Sequence, residues 1–170
     1  MIVNGGNLLA AAPVHNMMDH KAKAHGVSHG LTEAGYDLRI KQDVRIYPPN
    51  PLRYAKLMEM PVLSAGTKWE AEAAFHGYVS VDGRLSLGRF ALASATEAFN
   101  MPLDLVGIVH DKSTWARRGL SVFNTVIEPG WRGFLTLELV HHGVEPLHIP
   151  AGSGIAQVLF HRSVEPAAYE

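Results

Sequence analysis

The chain has 170 residues, with 15 Lys plus Arg against 16 Asp plus Glu, 10 His, no Cys and a formal net charge of −1. That length suits one compact domain, and a 47% hydrophobic content can build a core that buries on the order of 70% of the unfolded surface. Near-neutral charge lacks the basic footprint of a nucleic-acid binder. The lack of cysteine excludes disulfides, thiolate zinc sites, iron–sulfur clusters and cysteine nucleophiles, and with them the zinc nucleobase deaminases. No charged-then-apolar leader opens the chain and no apolar run approaches the roughly 20 residues of a membrane span, which predicts a soluble, cytoplasmic protein without membrane partners.

Residues 1–30 differ in texture from the rest. Asn4-Gly5-Gly6 precedes a small-residue stretch, and Pro13–Leu31 carries His15, His20, His25 and His29 without a clean apolar period. Spacings of five, five and four drift around a helix, so no zinc or other protein-held metal site is defined, and a solvated, partly ordered arm is expected. From residue 31 to 170 the pattern is that of one β domain. Tyr36, Leu38, Ile40, Val44 and Ile46 alternate with Asp37, Arg39, Lys41, Asp43 and Arg45, the period of half-buried strands, until Pro48, Pro49 and Pro51 end the run. Further strands are predicted at Ala73–Val81, Leu85–Ala93, Gly107–Val109, Gly133–Val140 and Gly154–Phe160. Turn signals separate them: Asp82-Gly83, Asn100–Pro102, Pro129-Gly130, His142-Gly143 and Pro150–Gly152. Many short strands with one or two short helices predict a mainly all-β sandwich or distorted barrel.

Two local patterns stand out. Ser113-Thr114-Trp115-Ala116-Arg117-Arg118, between a strand and Gly119, reads as a single helical turn with a hydroxyl N-cap and a glycine after its end. Free backbone N–H groups beside hydroxyls and two arginines suit an anion site there, the alternative being an ordinary capped turn with exposed arginines. In the strand Trp131–Val140, Leu135, Leu137 and Leu139 share one face, so Glu138 points the opposite way beside Thr136 and Val140. Phe134 on that side makes the face only partly wet, a setting in which a carboxylate can shuttle protons.

Together these pieces resemble the dCTP deaminase family. The resemblance is carried by Thr32–Arg39, by Met101–Gly107 followed by Lys112–Leu120, and by Ile127-Glu128-Pro129-Gly130-Trp131-Arg132-Gly133. Leu137-Glu138-Leu139 and Pro150–Gln157 complete it, all in the family's order over roughly Leu31 to Phe160. It implies a dUTPase-like distorted β-barrel or jelly roll assembled as a homotrimer, with active sites between subunits. It also implies conversion of dCTP to dUTP and ammonia, with magnesium carried on the substrate's triphosphate. By position, Lys112, Ser113, Thr114 and Arg117 would grip the triphosphate, joined by Gln157 and Tyr169. Glu138 would be the catalytic glutamate, with Ser113 and Arg117 holding the water. The nucleoside would lie against Phe123, Asn124, Thr125, Val126, Glu128 and Trp131.

Departures from the family pattern sharpen these expectations. Lys112 stands where the family usually has Arg, exchanging a bidentate fork for a point charge. Glu128 replaces the common Asp, and the Gly119–Pro129 segment is about two residues shorter than is typical of the resemblance. The family usually continues past a Tyr-Glu like Tyr169-Glu170 into a Gly-Lys-Tyr-x-x-Gln tail, whereas this sequence stops there. The alternatives within the fold are a dUTPase and a non-catalytic nucleotide-binding trimer.

Overall fold

The alternation resolves into three sheets in a computed structural model that describes residues 1–47, 79–81, 84–86 and 89–169. The largest, of seven strands, is built on β14 (Gly154–Arg162). One edge of β14 pairs with β9 (Leu105–Asp111) along its length, and β9 pairs with β11 (Val126–Ile127). The other edge is shared end to end by β4 (Tyr36–Arg39) and β1 (Ile2–Val3), and β3 (Val27–Leu31) and β2 (Lys21–Ala24) extend the sheet beyond β4. A three-stranded sheet runs in the order β10 (Leu120–Val122), β12 (Arg132–His141), β8 (Phe90–Asn100). The third is β13 (Leu147–Ile149), β5 (Val44–Ile46), β6 (Val79–Val81) and β7 (Arg84–Ser86). Two short helices, α1 (Gly5–Ala11) and α2 (Ser113–Ala116), interrupt the strands among the described residues, so the mainly all-β expectation is met. No helix among them is long and apolar enough to cross a membrane.

The predicted inward residues form the core. Tyr36, Leu38, Ile40, Val44 and Ile46 are all buried, as are Leu135, Leu137 and Leu139. The single run read from Tyr36 to Ile46 is two strands in different sheets, because the chain turns after Ile40, which bridges to Ala95 of β8. Most of the strand predicted at Ala73–Val81, and the Asp82-Gly83 turn, lie outside the described residues. The predicted Leu85–Ala93 strand is two elements, β7 and the eleven-residue β8, which runs seven residues further to Asn100.

The first thirty residues are not a solvated arm. β1 pairs with β14 (Ile2 opposite His161, Val3 opposite Phe160), and Leu8 and Val14 are buried in the core. β2 and β3 form a hairpin whose two-residue turn, His25-Gly26, has both φ values positive (50° and 78°), as a tight hairpin turn requires. His15, His20 and His25 are exposed and His29 is buried. Among the described residues no three His, Asp or Glu side chains group as metal ligands.

Candidate active site

The turn that follows β9 is built from residues of opposite facing. Lys112 occupies the N-cap with extended backbone (φ −96°, ψ 122°), and its carbonyl accepts the N–H groups of Trp115 and Ala116 at 2.9 and 3.0 Å. The expected hydroxyl cap is therefore not made, since Ser113 is already the first helical residue and no side chain caps the turn. Gly119 ends the segment with φ 81°, where a Cβ would meet the backbone of Gly143. Trp115 is buried and its indole Nε1 donates to the Gly154 carbonyl at 2.6 Å, while the Arg118 guanidinium lies 5.0 Å from the Trp115 ring centre. Ser113 and Arg117 are exposed and Thr114 is half-buried. Lys112 has partners within the chain. Its ammonium donates to Ser28 Oγ at 2.9 Å and is ion-paired with Asp37, so its charge is neutralised inside the chain.

Glu138 lies on β12 opposite Leu92 of β8, on the outer face. It is half-buried, and its Oε2 is buried without a hydrogen-bond partner among the described residues. Around it the face is apolar and exposed: Phe90, Leu92 and Phe134 are 44%, 55% and 58% exposed, and the Phe90 and Phe123 rings lie 6.3 Å apart. A carboxylate in a dry, unpaired position is costly unless something supplies a donor.

The loop Phe123–Thr125 connects these two features. Phe123 N–H donates to the Glu138 carbonyl (3.0 Å), and Val109 N–H donates to the Thr125 carbonyl (3.0 Å). Asp111, one residue before Lys112, accepts the Val122 N–H on Oδ1 at 2.6 Å. Lys112, Ser113, Thr114, Arg117, Phe123, Asn124, Thr125 and Glu138 are thus gathered at the Asp111 end of β9. Val126 is exposed on β11, opposite Ile108 in mid-strand.

The remaining predicted residues lie elsewhere. Glu128, exposed, and Trp131 belong to a turn at the Leu105 end of β9, where Gly130 N–H donates to the Pro102 carbonyl and Met101 N–H to that of Trp131. Trp131 is packed against Phe99, with ring centres 6.1 Å apart. The backbone of Tyr169 passes Gly130 so closely that a Cβ there would sit 3.1 Å from its nitrogen. Six residue steps along β9 span about 20 Å, with Trp131 at one end and the α2 turn at the other, while Glu128 is three residues from Thr125 and follows the β11 pairing in mid-strand. Gln157 lies at the Asp111 end, opposite both His110 and Asp37, and its Nε2 donates to Thr32 Oγ1 at 3.1 Å.

Sequence reasoning missed the buried polar groups behind the site. Asp37 was read as a solvent-facing strand residue, yet its side chain is 2% exposed. Glu97, also buried, accepts the Arg39 backbone N–H (2.9 Å) and pairs with the Arg39 guanidinium (2.8 Å). Nearby, burial pushes the His29 imidazole below its ordinary value, Arg39 adding to the effect, and burial raises the Tyr36 phenol. The only sequence signal was the apolar residues flanking Asp37 and Glu97.

Comparison with known proteins converges on one family. A family model described as dCTP deaminase-like matches residues 8–163. A dCTP deaminase of Campylobacter lari is 35% identical over 156 residues, covering 89% of this chain and 78% of that protein. One from Chloroflexus aggregans is 32% identical over 153 residues, covering 90% and 77%. Among solved structures, 2′-deoxycytidine 5′-triphosphate deaminase from Agrobacterium tumefaciens superimposes with a TM-score of 0.57 at 18% identity, covering 95% of this chain and 47% of that one. The native EIAV dUTPase gives a TM-score of 0.51 at 14% identity, covering 94% and 91%. At such identities these two structures establish the fold.

Proposed function

Because the chain belongs to the dCTP deaminase-like family, we propose that it hydrolyses dCTP to dUTP and ammonia. The observation that carries this reading is Glu138: a carboxylate with one oxygen buried and unpartnered among the described residues, beside the Phe123–Thr125 loop. Such a group is short of a donor that a water or a pyrimidine would supply.

In this reading Glu138 removes a proton from water as the oxygen bonds to C4 of cytosine, and passes it to N3. A second transfer moves the hydroxyl proton of the tetrahedral intermediate to the amino group. That group leaves as ammonia while the C4 carbonyl forms, returning Glu138 to the carboxylate. Ser113 and Arg117, on the exposed side of the α2 turn, orient the water and stabilise the developing charge. Arg117 and the hydroxyls of Ser113 and Thr114 face the triphosphate, whose magnesium arrives as part of the substrate. Backbone groups of Phe123, Asn124, Thr125 and Val126 read the pyrimidine.

The same reading makes the assembly a homotrimer. Trp131 and the backbone of Tyr169 stand at the opposite end of β9 from the α2 turn in one chain, a strand length of about 20 Å. The exposed Phe90, Leu92 and Phe134 offer an apolar face for another copy, so that the two groups meet across a subunit boundary. The test is product analysis with magnesium-dCTP, dUTP and deoxycytidine as substrates. Stoichiometric ammonia and dUTP from dCTP, with deoxycytidine poorly used, are expected. Pyrophosphate from dUTP without ammonia from dCTP would replace the reading with a dUTPase, and nucleotide binding without turnover would replace it with a non-catalytic trimer. A stable monomer in sedimentation would remove the shared site.

A further inference from the structure

We propose that Lys112 is a positioning residue, which fastens the α2 turn to the barrel wall through Asp37 and Ser28, and that it carries none of the triphosphate's charge. This rests on the dCTP reading above and refines the site it describes. Lys112 leads the turn and its side chain is 10% exposed, against 2% for the Asp37 carboxylate it meets. Ser28 Oγ accepts from the ammonium at 2.9 Å and itself donates to Asp37 Oδ2 at 3.1 Å, so three side chains from β9's end, β3 and β4 close on one another.

The path to that pocket depends on Gly154. A Cβ there would strike the Ser28 carbonyl and lie 3.3 Å from the Lys112 Cε, so the lysine stem passes beside the space that the missing side chain leaves. Three residues on, Trp115 donates to the carbonyl of the same glycine. The N-cap lysine and the buried tryptophan thus both contact the strand segment that begins at Gly154. Lys112 and Trp115 therefore bolt the turn to the wall, which leaves Ser113 and Arg117 exposed.

Charge accounting gives the same assignment. Swinging Lys112 out to a phosphate would strand Asp37 as a buried, unpaired carboxylate, whose other oxygen already lacks a partner among the described residues. Arg117 and Arg118 are both exposed, and of the two Arg118 lies against the Trp115 ring, so Arg117 is the arginine of the turn free of an aromatic contact among the described residues. A lysine suits the slot because an ammonium is a compact donor beside Gly154, whereas a guanidinium fork is broader.

The experiment is a double-mutant cycle of wild type, Lys112→Met, Asp37→Asn and the double variant. Each is measured for melting temperature, magnesium-dCTP affinity by calorimetry, and separate kcat and KM from ammonia release. Each single variant should lose about tenfold or more in dCTP affinity, and the double variant should return to within about threefold of wild type, the scale of coupling expected for contacting residues. A double variant as weak as Lys112→Met would show a direct phosphate contact and overturn the proposal. So would a Lys112→Met protein that melts earlier with an unaltered dCTP KM, which would make the lysine merely structural. If Lys112→Met does not fold, the double variant against wild type decides alone, because loss of a phosphate ligand would persist in it. Wild type that binds no dCTP overturns the functional reading itself; active wild type with an unrescued double variant overturns only the role of Lys112.

Discussion

Replacing Glu138 by Gln separates its chemistry from its structural setting. The backbone of Glu138 is held by register with Leu92 and by the Phe123 N–H on its carbonyl, and neither depends on the carboxylate. Its buried Oε2 has no partner among the described residues, so the substitution removes charge from a site that pays a desolvation penalty. Stability should stay level or rise by about 1 kcal/mol, which for a chain of this size is an increase of about 2–4 °C in Tm. Catalysis should fall by about 10²–10⁴-fold, equivalent to about 3–5 kcal/mol of transition-state stabilisation, because glutamine cannot accept the water's proton. Magnesium-dCTP affinity should hold, since the proposed triphosphate site is the α2 turn and not Glu138. The assay pairs ammonia release and calorimetric dCTP binding with a thermal melt. Near wild-type turnover would refute the role of Glu138, and a Tm drop of several degrees would show that the carboxylate holds the sheet instead.

Three further outcomes follow from the packing. Since burial holds the His29 imidazole below its ordinary value, the unfolded chain takes up a proton first as pH falls; stability should decline as pH falls through the ordinary imidazole range, and His29→Gln should flatten that decline in thermal melts, an unchanged slope counting against it. Gly154→Ala should cost at least about 3 kcal/mol in urea unfolding because its Cβ meets the Ser28 carbonyl, whereas Gly152→Ala, in open space with φ 81°, should cost about 1 kcal/mol from backbone strain; equal losses would contradict the close approach. Arg39→Met should cost about 3 kcal/mol by leaving the Glu97 carboxylate unpaired, the low end for a broken buried pair because Glu97 keeps the Arg39 N–H, and adding Glu97→Gln should recover part of it.

What could be read from the sequence was the inward face. Period-two alternation located Leu135, Leu137 and Leu139, and the burial of Tyr36, Leu38 and Ile40, because each presents a large apolar side chain to one side. β8 was read only as far as Ala93 because its pattern is inverted. Alanines 91, 93 and 95 face inward, while Phe90 and Leu92 face out, so size and burial disagree along the strand. β2 escaped notice for a related reason: in Lys21-Ala22-Lys23-Ala24 the residues that alternate with lysine are small alanines, a weak signal in an edge strand whose lysines guard its free backbone. The Asp37–Lys112 pair joins residues 75 positions apart, and alternation assigns a carboxylate to the wet face unless its distant partner is known. The α2 turn was found in the right place, but which of its side chains turn inward depends on Gly154 and the wall behind it.

If the proposed homotrimer shares its sites across subunit boundaries, the division of the candidate site between the two ends of β9 has a genetic consequence. Two inactive proteins, one altered only at Arg117 and the other only at Trp131, would each carry every defect that silences a homogeneous trimer. Co-folded, they would form mixed trimers in which some boundaries bring an intact α2 turn from one chain to an intact Trp131 turn from the next. Random assortment around a closed ring makes about a quarter of the boundaries whole. Two null alleles would then complement one another in the same cell, and a dominant-negative subunit would impair sites on its neighbours as well as its own.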